Sequence, residues 1–304
     1  MVSVLHGVIP PLITPFNREG EIDETFLRTH VDYLVECGVH GVFCLSSVGE
    51  FAYLSDEEKL KIIEIVVEEV AGRVPVLVGV GHFSFRVSLN YAKAAERLGA
   101  DGLVAILLPY FPVTDAMAYE YYASLAKSTG LPTLIYNFPT VTGFNISPET
   151  VVRLAEVGNV VGIKDTVVDP QHTLKILELA PKDFSVFPGS EVTLQAAMEA
   201  GASGMILGST NIDPRPAIEL YNAYRSGDIA RARSLLPRVV SFLQLLSIAP
   251  AQFIPSILKN AMKLAGRPIN PDVRNPLPSL SKEQLKKLEE KMYELGLLNA
   301  GRMP

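Results

Sequence analysis

One pattern recurs along this chain and limits what it can fold into. A charged segment of helical period ends at a glycine, and an apolar, β-rich run begins two or three residues later. It stands at Cys37-Gly38-Val39-His40-Gly41-Val42-Phe43, at Leu98-Gly99-Ala100-Asp101-Gly102-Leu103-Val104 and at Ala200-Gly201-Ala202-Ser203-Gly204-Met205-Ile206. Each copy predicts a helix closed by a C-cap glycine, a tight loop and a buried parallel strand.

With these anchors, strands are expected near residues 7–13, 41–46, 75–80, 102–108, 133–137, 160–164, 184–188 and 204–208. Helical periodicity follows at 23–37, 55–71, 84–98, 114–129, 147–157, 170–180, 191–200 and 214–226. Eight βα units in about 220 residues predict a closed (β/α)₈ TIM barrel ahead of an open doubly wound sheet, although period alone does not show closure. The acidic turn Ser55-Asp56-Glu57-Glu58 and the Ser147-Pro148-Glu149 start support the helix frame.

Strand signals stop after residue 226. The chain therefore divides into a catalytic barrel at 1–226 and a small helical C-terminal extension at 227–304, with a Pro-rich passage from Pro268 to Pro278 before the charged helix Ser281–Glu294. The stretch from Val239 to Leu258 has no formal charge and is about as long as a membrane span. Pro250 and Pro255 would break its backbone hydrogen bonds in lipid, so a buried or subunit-interface helix pair is expected instead.

An apolar content of 48% suits a large buried core, and 27 basic against 33 acidic residues give a net charge of -6 with no basic block. That argues against nucleic acid or anionic lipid as the main partner. Cys37 and Cys44 lack C-x-x-C spacing, and the five histidines form no zinc-binding pair. A reducing, cytoplasmic setting and a metal-free site are the resulting expectations, with no signal-peptide pattern at the N-terminus.

Reactive groups of a (β/α)₈ barrel gather at the C-terminal strand ends, where this chain offers Ser47, Tyr110, Tyr136 and Lys164. Of 13 lysines, Lys164 alone closes a continuous apolar strand, Val160-Val161-Gly162-Ile163. An amine stripped of water at a barrel mouth spends more time neutral, the form that attacks a ketone. Position alone equally fits a snorkelling strand-end residue. Strand alternation turns Asp165 to the opposite face, where it would secure a loop.

Tyr136 could relay the protons that carbinolamine chemistry needs, or it could be a satisfied core tyrosine. The loop Ser46-Ser47-Val48-Gly49-Glu50 offers hydroxyls and N–H groups suited to a carboxylate; read in isolation it is also an ordinary turn.

Taken together, several segments resemble the family of dihydrodipicolinate synthase and N-acetylneuraminate lyase, which includes 2-keto-3-deoxygluconate aldolases. They are Gly7-Val8-Ile9-Pro10-Pro11-Leu12-Ile13-Thr14-Pro15-Phe16, Val48-Gly49-Glu50, Tyr136-Asn137-Phe138-Pro139 with Thr142-Gly143, Gly162-Ile163-Lys164-Asp165, Arg274-Asn275-Pro276-Leu277 and Leu295-Gly296-Leu297-Leu298. The resemblance spans essentially the whole chain. It implies that Lys164 forms a Schiff base, that Tyr136 relays protons, and that Ser47 with the backbone from Ser47 to Gly49 binds the substrate carboxylate. It implies no metal or organic cofactor, and a homo-oligomer, commonly a tetramer built as a dimer of dimers.

Departures from the family pattern narrow the choice. Val141 stands where the synthases carry an arginine that grips an aldehyde's carboxylate, which disfavours lysine biosynthesis. Val48 replaces a usual threonine. Phe111 replaces a tyrosine that in the synthases reaches a neighbouring subunit's site, with Tyr110 as a candidate substitute.

Lys164-Asp165-Thr166 and Gly208-Ser209-Thr210 lean towards keto-sugar-acid aldolases, with Ser46, Gly189, Ser190, Glu191, Ile206 and Ser209 as further substrate-binding candidates. Val113 replaces an arginine found in relatives that take phosphorylated substrates. The leading expectation is reversible aldol cleavage of a 2-keto-3-deoxy sugar acid to pyruvate and an aldehyde. A synthase of 4-hydroxy-tetrahydrodipicolinate, a dehydratase and a non-catalytic binder of 2-oxo acids remain the alternatives.

Overall fold

Gly38, Gly99 and Gly201 have φ of +88°, +88° and +95°. A Cβ penalises that backbone region, and each glycine ends its helix and turns the chain into a strand. The structure, a computed structural model, describes residues 5–298.

All eight expected strands form: β1 Gly7–Val8, β2 Val42–Cys44, β3 Val76–Gly79, β4 Gly102–Ile106, β5 Thr133–Asn137, β6 Val160–Asp165, β7 Ser185–Pro188 and β8 Gly204–Met205. The intervening helices are α1 Glu24–Glu36, α2 Asp56–Val70, α3 Phe85–Leu98, α4 Asp115–Ala126, α5 Pro139–Thr142, α6 Pro148–Leu154, α7 Pro170–Leu179, α8 Leu194–Glu199 and α9 Arg215–Arg225. Ser55 and Glu58 close a reciprocal capping box at α2, and Ser147 caps α6 ahead of Pro148, as the local residue choice dictates.

An unbroken eight-strand ladder is not what these residues build. Strands β2 to β7 form one parallel sheet in sequence order, and β1 pairs with β8 in a second. Pro10 and Pro11 have no N–H to donate, which keeps β1 short. A few hydrogen bonds cross each seam: His40 N–H to Val8 O (2.9 Å), Phe43 N–H to Pro10 O (2.9 Å) and Leu12 N–H to Phe43 O (2.8 Å) at one, and Ser203 N–H to Val186 O (2.9 Å) and Ile206 N–H to Pro188 O (3.1 Å) at the other.

Asn211 adds a side-chain stitch. Its amide donates to Pro11 O and Gly208 O (2.8 and 2.9 Å) and its Oδ1 accepts from Ile13 N–H (3.2 Å). His30 Nε2 lies 2.9 Å from the same Oδ1, while Arg267 donates to His30 Nδ1 at 2.7 Å. Burial, reinforced by the Arg267 charge, pushes His30 down to about 3, so it sits there as a neutral ring.

Beyond α9 the described chain carries helices and no strand: α10 Ile229–Val240, α11 Leu243–Leu246, α12 Ile254–Leu264 and, after an irregular passage, α13 Lys282–Glu294. Leu245, Ile257, Leu258 and Leu288 pack with Ile13 and Phe26 of the strand–helix body. Among the described residues no single helix is long and apolar enough to cross a membrane. The uncharged stretch is split between two segments, Ile229–Leu246 and Ala251–Leu264, that bend by 99°. Val239, Phe242, Leu245 and the run from Pro255 to Leu258 are buried, which accounts for part of its apolar character, and the remainder is half-buried or exposed.

The β1–β8 pairing leaves no room for a side chain at Gly204, where a Cβ would lie 2.0 Å from Gly7 O. Gly204→Ala is expected to cost about 1–3 kcal/mol by forcing these backbones apart. Gly158→Ala, which meets nothing within 4 Å, should shift stability by less than about 0.5 kcal/mol. Urea denaturation of both variants checks the contrast.

Candidate functional site

Pairing between β5 and β6 sets Tyr136 beside Lys164 and Asn137 beside Asp165. Alternation then sends the two pairs to opposite faces. On one face Lys164, 4% exposed, holds its Nζ 4.0 Å from the centre of the Tyr136 ring and 5.3 Å from that of Phe43.

On the other face Asp165 is fully buried and accepts from Asn137 Nδ2 (2.8 Å) and Thr173 Oγ1 (2.7 Å), with His172 Nδ1 at 2.9 Å. Burial lowers the proton affinity of His172, but the bond and charge of Asp165 more than offset this and raise it. Asp165 is therefore a clamp behind the strand, as its parity predicts.

Tyr136 Oη lies 3.2 Å from Ser47 Oγ, which joins the strand-five phenol to the loop after β2. The loop's own bonding divides its residues. Gly49 N–H turns back to Ser46 O (3.0 Å) and Ser46 Oγ (3.2 Å), and Thr14 Oγ1 donates to Gly49 O at 2.6 Å. A Cβ at Gly49 would meet Leu12 O at 2.7 Å, so this position is a close backbone crossing. Among the described residues the N–H groups of Ser47 and Val48 have no acceptor, which leaves them available to an anion.

Lys164, Tyr136, Ser47, Val48, Gly189, Ser190, Glu191 and Ile206 line one cleft of about 650 Å³. Eight of the twelve residues expected at the site share this cleft, and four do not. Ser46, Gly49 and Ser209 are buried behind the wall, their polar groups spent on the scaffold. Tyr110 is 84% exposed and packs edge-to-face on Phe111, itself 74% exposed, outside the cleft. Tyr110 lies in an irregular loop beyond β4, where strand parity no longer fixes direction, and does not line this chain's own cleft.

Two features of the cleft were missed. Thr166 lies two residues after Lys164 and its Oγ1 is buried without a hydrogen-bond partner. Alternation from Lys164 could have found it. Gly189 permits this crowding, since a Cβ there would sit 1.9 Å from Thr166 Oγ1 and 3.1 Å from Lys164 Cε. The second feature is a wall supplied by the C-terminal extension, including Leu243, Leu246 and Pro255. No local signal announces it.

Burial raises the Glu191 carboxyl, and the bond donated by Ser209 Oγ (2.6 Å) only partly opposes this.

The chain matches the model of the dihydrodipicolinate synthetase family over residues 4–295. It belongs to that family. It is 35% identical over 296 residues to a probable 2-dehydro-3-deoxy-D-pentonate aldolase of Escherichia coli K12, YjhH, covering 96% of this chain and 98% of that one. It is 34% identical over 302 residues, 98% of each chain, to a 4-hydroxy-tetrahydrodipicolinate synthase of Methanopyrus kandleri.

Among solved structures, E. coli K12 YagE in complex with pyruvate superposes with a TM-score of 0.92 at 32% identity, covering 97% of this chain and all of that one. Membership makes the chain an enzyme of the class I aldolase and lyase type.

The raised Glu191 carboxyl sets the sign of a pH effect. A carboxyl that holds its proton more tightly when folded contributes most at low pH. That contribution is lost as pH rises from the ordinary carboxylate range through the raised folded value. Glu191→Gln removes the titration, so its stability relative to the parent should improve steadily as pH rises from 4 towards 8. Denaturation midpoints that run parallel across that range would contradict the assignment.

Proposed function

We propose that this chain is a closed (β/α)₈-barrel aldolase that binds a 2-oxo acid as an imine on Lys164 and cleaves a 2-keto-3-deoxy sugar acid reversibly to pyruvate and an aldehyde. The observation that carries the reading is the buried Lys164 amine set against Tyr136, whose hydroxyl is 3.2 Å from Ser47.

The amine adds to the C2 ketone, and water leaves as Tyr136 relays a proton to the departing hydroxyl. Ser47 and the free N–H groups of Ser47 and Val48 hold the carboxylate. The iminium draws in the electrons of the C3–C4 bond while the C4 hydroxyl loses its proton and becomes the aldehyde. The resulting enamine takes a proton at C3, and water returns to release pyruvate and the free lysine. No metal or organic cofactor enters these steps.

Substrate choice follows from what the cleft provides. Among its lining residues Lys164 is the one cation, so nothing there grips a phosphate or second carboxylate on the aldehyde fragment. Val141, at the mouth, occupies the place of the synthases' arginine. Thr166 Oγ1 and the Glu191 carboxyl instead suit neutral hydroxyls. The relatives named as 2-dehydro-3-deoxy-sugar aldolases agree with this choice. Exposed Tyr110 and Phe111 support a subunit contact, and the family resemblance makes a tetramer the proposed assembly.

A pyruvate-release screen across neutral, phosphorylated and dicarboxylic 2-oxo acids tests the reading. Neutral keto-deoxy acids should be cleaved and Tyr136→Phe should lower kcat by about 10²–10⁴-fold. Borohydride with pyruvate should add mass to the peptide bearing Lys164, and Lys164→Ala should abolish the adduct. Condensation of aspartate semialdehyde with pyruvate, without cleavage of any keto-deoxy acid, would favour the synthase. Trapping without turnover would favour a binding protein.

A further inference from the structure

Two sequence motifs remain unused by this chemistry, Glu50 at the end of the carboxylate loop and the segment around Arg274. The fold joins them. Glu50 Oε1 accepts from Lys259 Nζ at 2.5 Å, and both side chains are wholly buried. Glu50 Oε2 accepts from Arg274 N–H at 2.6 Å, and Lys259 donates a second bond to Asp272 O at 2.8 Å. Lys259 and Arg274 also bracket the Phe16 ring, 4.3 and 4.4 Å from its centre.

Such a pair is an expensive way to hold two segments together, because both charges lose their water. Burial raises the Glu50 carboxyl and lowers the Lys259 amine against their mutual attraction. Glu50 also adopts a left-handed backbone at φ +60°, an uncommon conformation for a residue with a side chain. Its N–H donates to Ser47 O at 3.1 Å, so the turn that presents Ser47 and Val48 is pinned at its far end by this one side chain.

We infer that the buried Glu50–Lys259 pair is a positioning device that lets the C-terminal extension hold the carboxylate-binding turn in register with Lys164. Glu50 and Lys259 act through Ser47 and Val48 rather than on substrate. The extension is thereby part of the working site as well as one of its walls.

The inference rests on the imine reading of Lys164, and one experiment separates the two. Parent, Lys259→Met, Lys259→Arg and Glu50→Gln proteins are titrated with pyruvate and trapped with borohydride, and KM is measured for pyruvate and for the aldehyde in the condensation direction. Loss of the pair should raise the pyruvate half-saturation and KM about tenfold or more, with aldehyde KM within about twofold of the parent. Lys259→Arg keeps the charge and should recover part of the pyruvate affinity, and it serves where the methionine variant does not fold.

Equal rises in both KM values, or pyruvate binding unchanged in folded variants, would overturn the positioning role. Failure of the parent to trap pyruvate would instead overturn the imine reading.

Discussion

The pairing register of β5 against β6 is the constraint on which the site depends. Tyr136 stands opposite Lys164 and Asn137 opposite Asp165, so one residue of slip would exchange the reactive face for the scaffold face. The hydrogen bond between Asn137 and Asp165 guards against that slip from behind, and Thr173 and His172 hold the same carboxylate from α7. A polar clamp is costly to bury unless every member is paired. Here the pairing fixes register on the outer face while leaving the inner face free for chemistry.

Carboxyl groups near the cleft differ mainly in how many donors they receive. Asp165 has three partners and Glu50 has two, and both are committed to holding backbone in place. Glu191 receives one side-chain donor, the Ser209 hydroxyl, and burial raises its carboxyl as it raises that of Glu50. A carboxyl with bonding capacity left over, facing an open volume, is equipped to meet a ligand. Thr166, with no partner at all, belongs with Glu191. The contrast separates polar groups committed to the scaffold from those with bonding capacity to spare.

Much of the frame was legible because it is local. A helix that ends in a left-handed glycine and re-enters as an apolar strand needs only a handful of neighbouring residues, and the eight strands and the parity of Asp165 followed from such signals. Thr166 was equally legible by alternation and was passed over. Tyr110 was not placed by any local rule, because an irregular loop imposes no parity on its side chains. Ser46, Gly49 and Ser209 sit close to the cleft, but which groups a tight loop keeps for itself depends on partners such as Leu12 and Glu191 that sequence spacing does not reveal. The wall built by the extension, and the ion pair between residues 209 positions apart, were out of reach for the same reason.

The lining of the cleft is made by two different means, and this bears on how such a site can change its substrate. The part around Lys164, Tyr136 and Ser47 is built from strand termini and a pinned turn, whose positions are over-determined by register and by buried hydrogen bonds. Other parts of the lining come from Val141, Val168 and side chains of the helical extension, such as Leu243 and Leu246, none of which belongs to a strand. Substitutions there alter shape and charge without disturbing the amine or the phenol. A cleft of this design can retain one chemistry while the substrate it accepts varies.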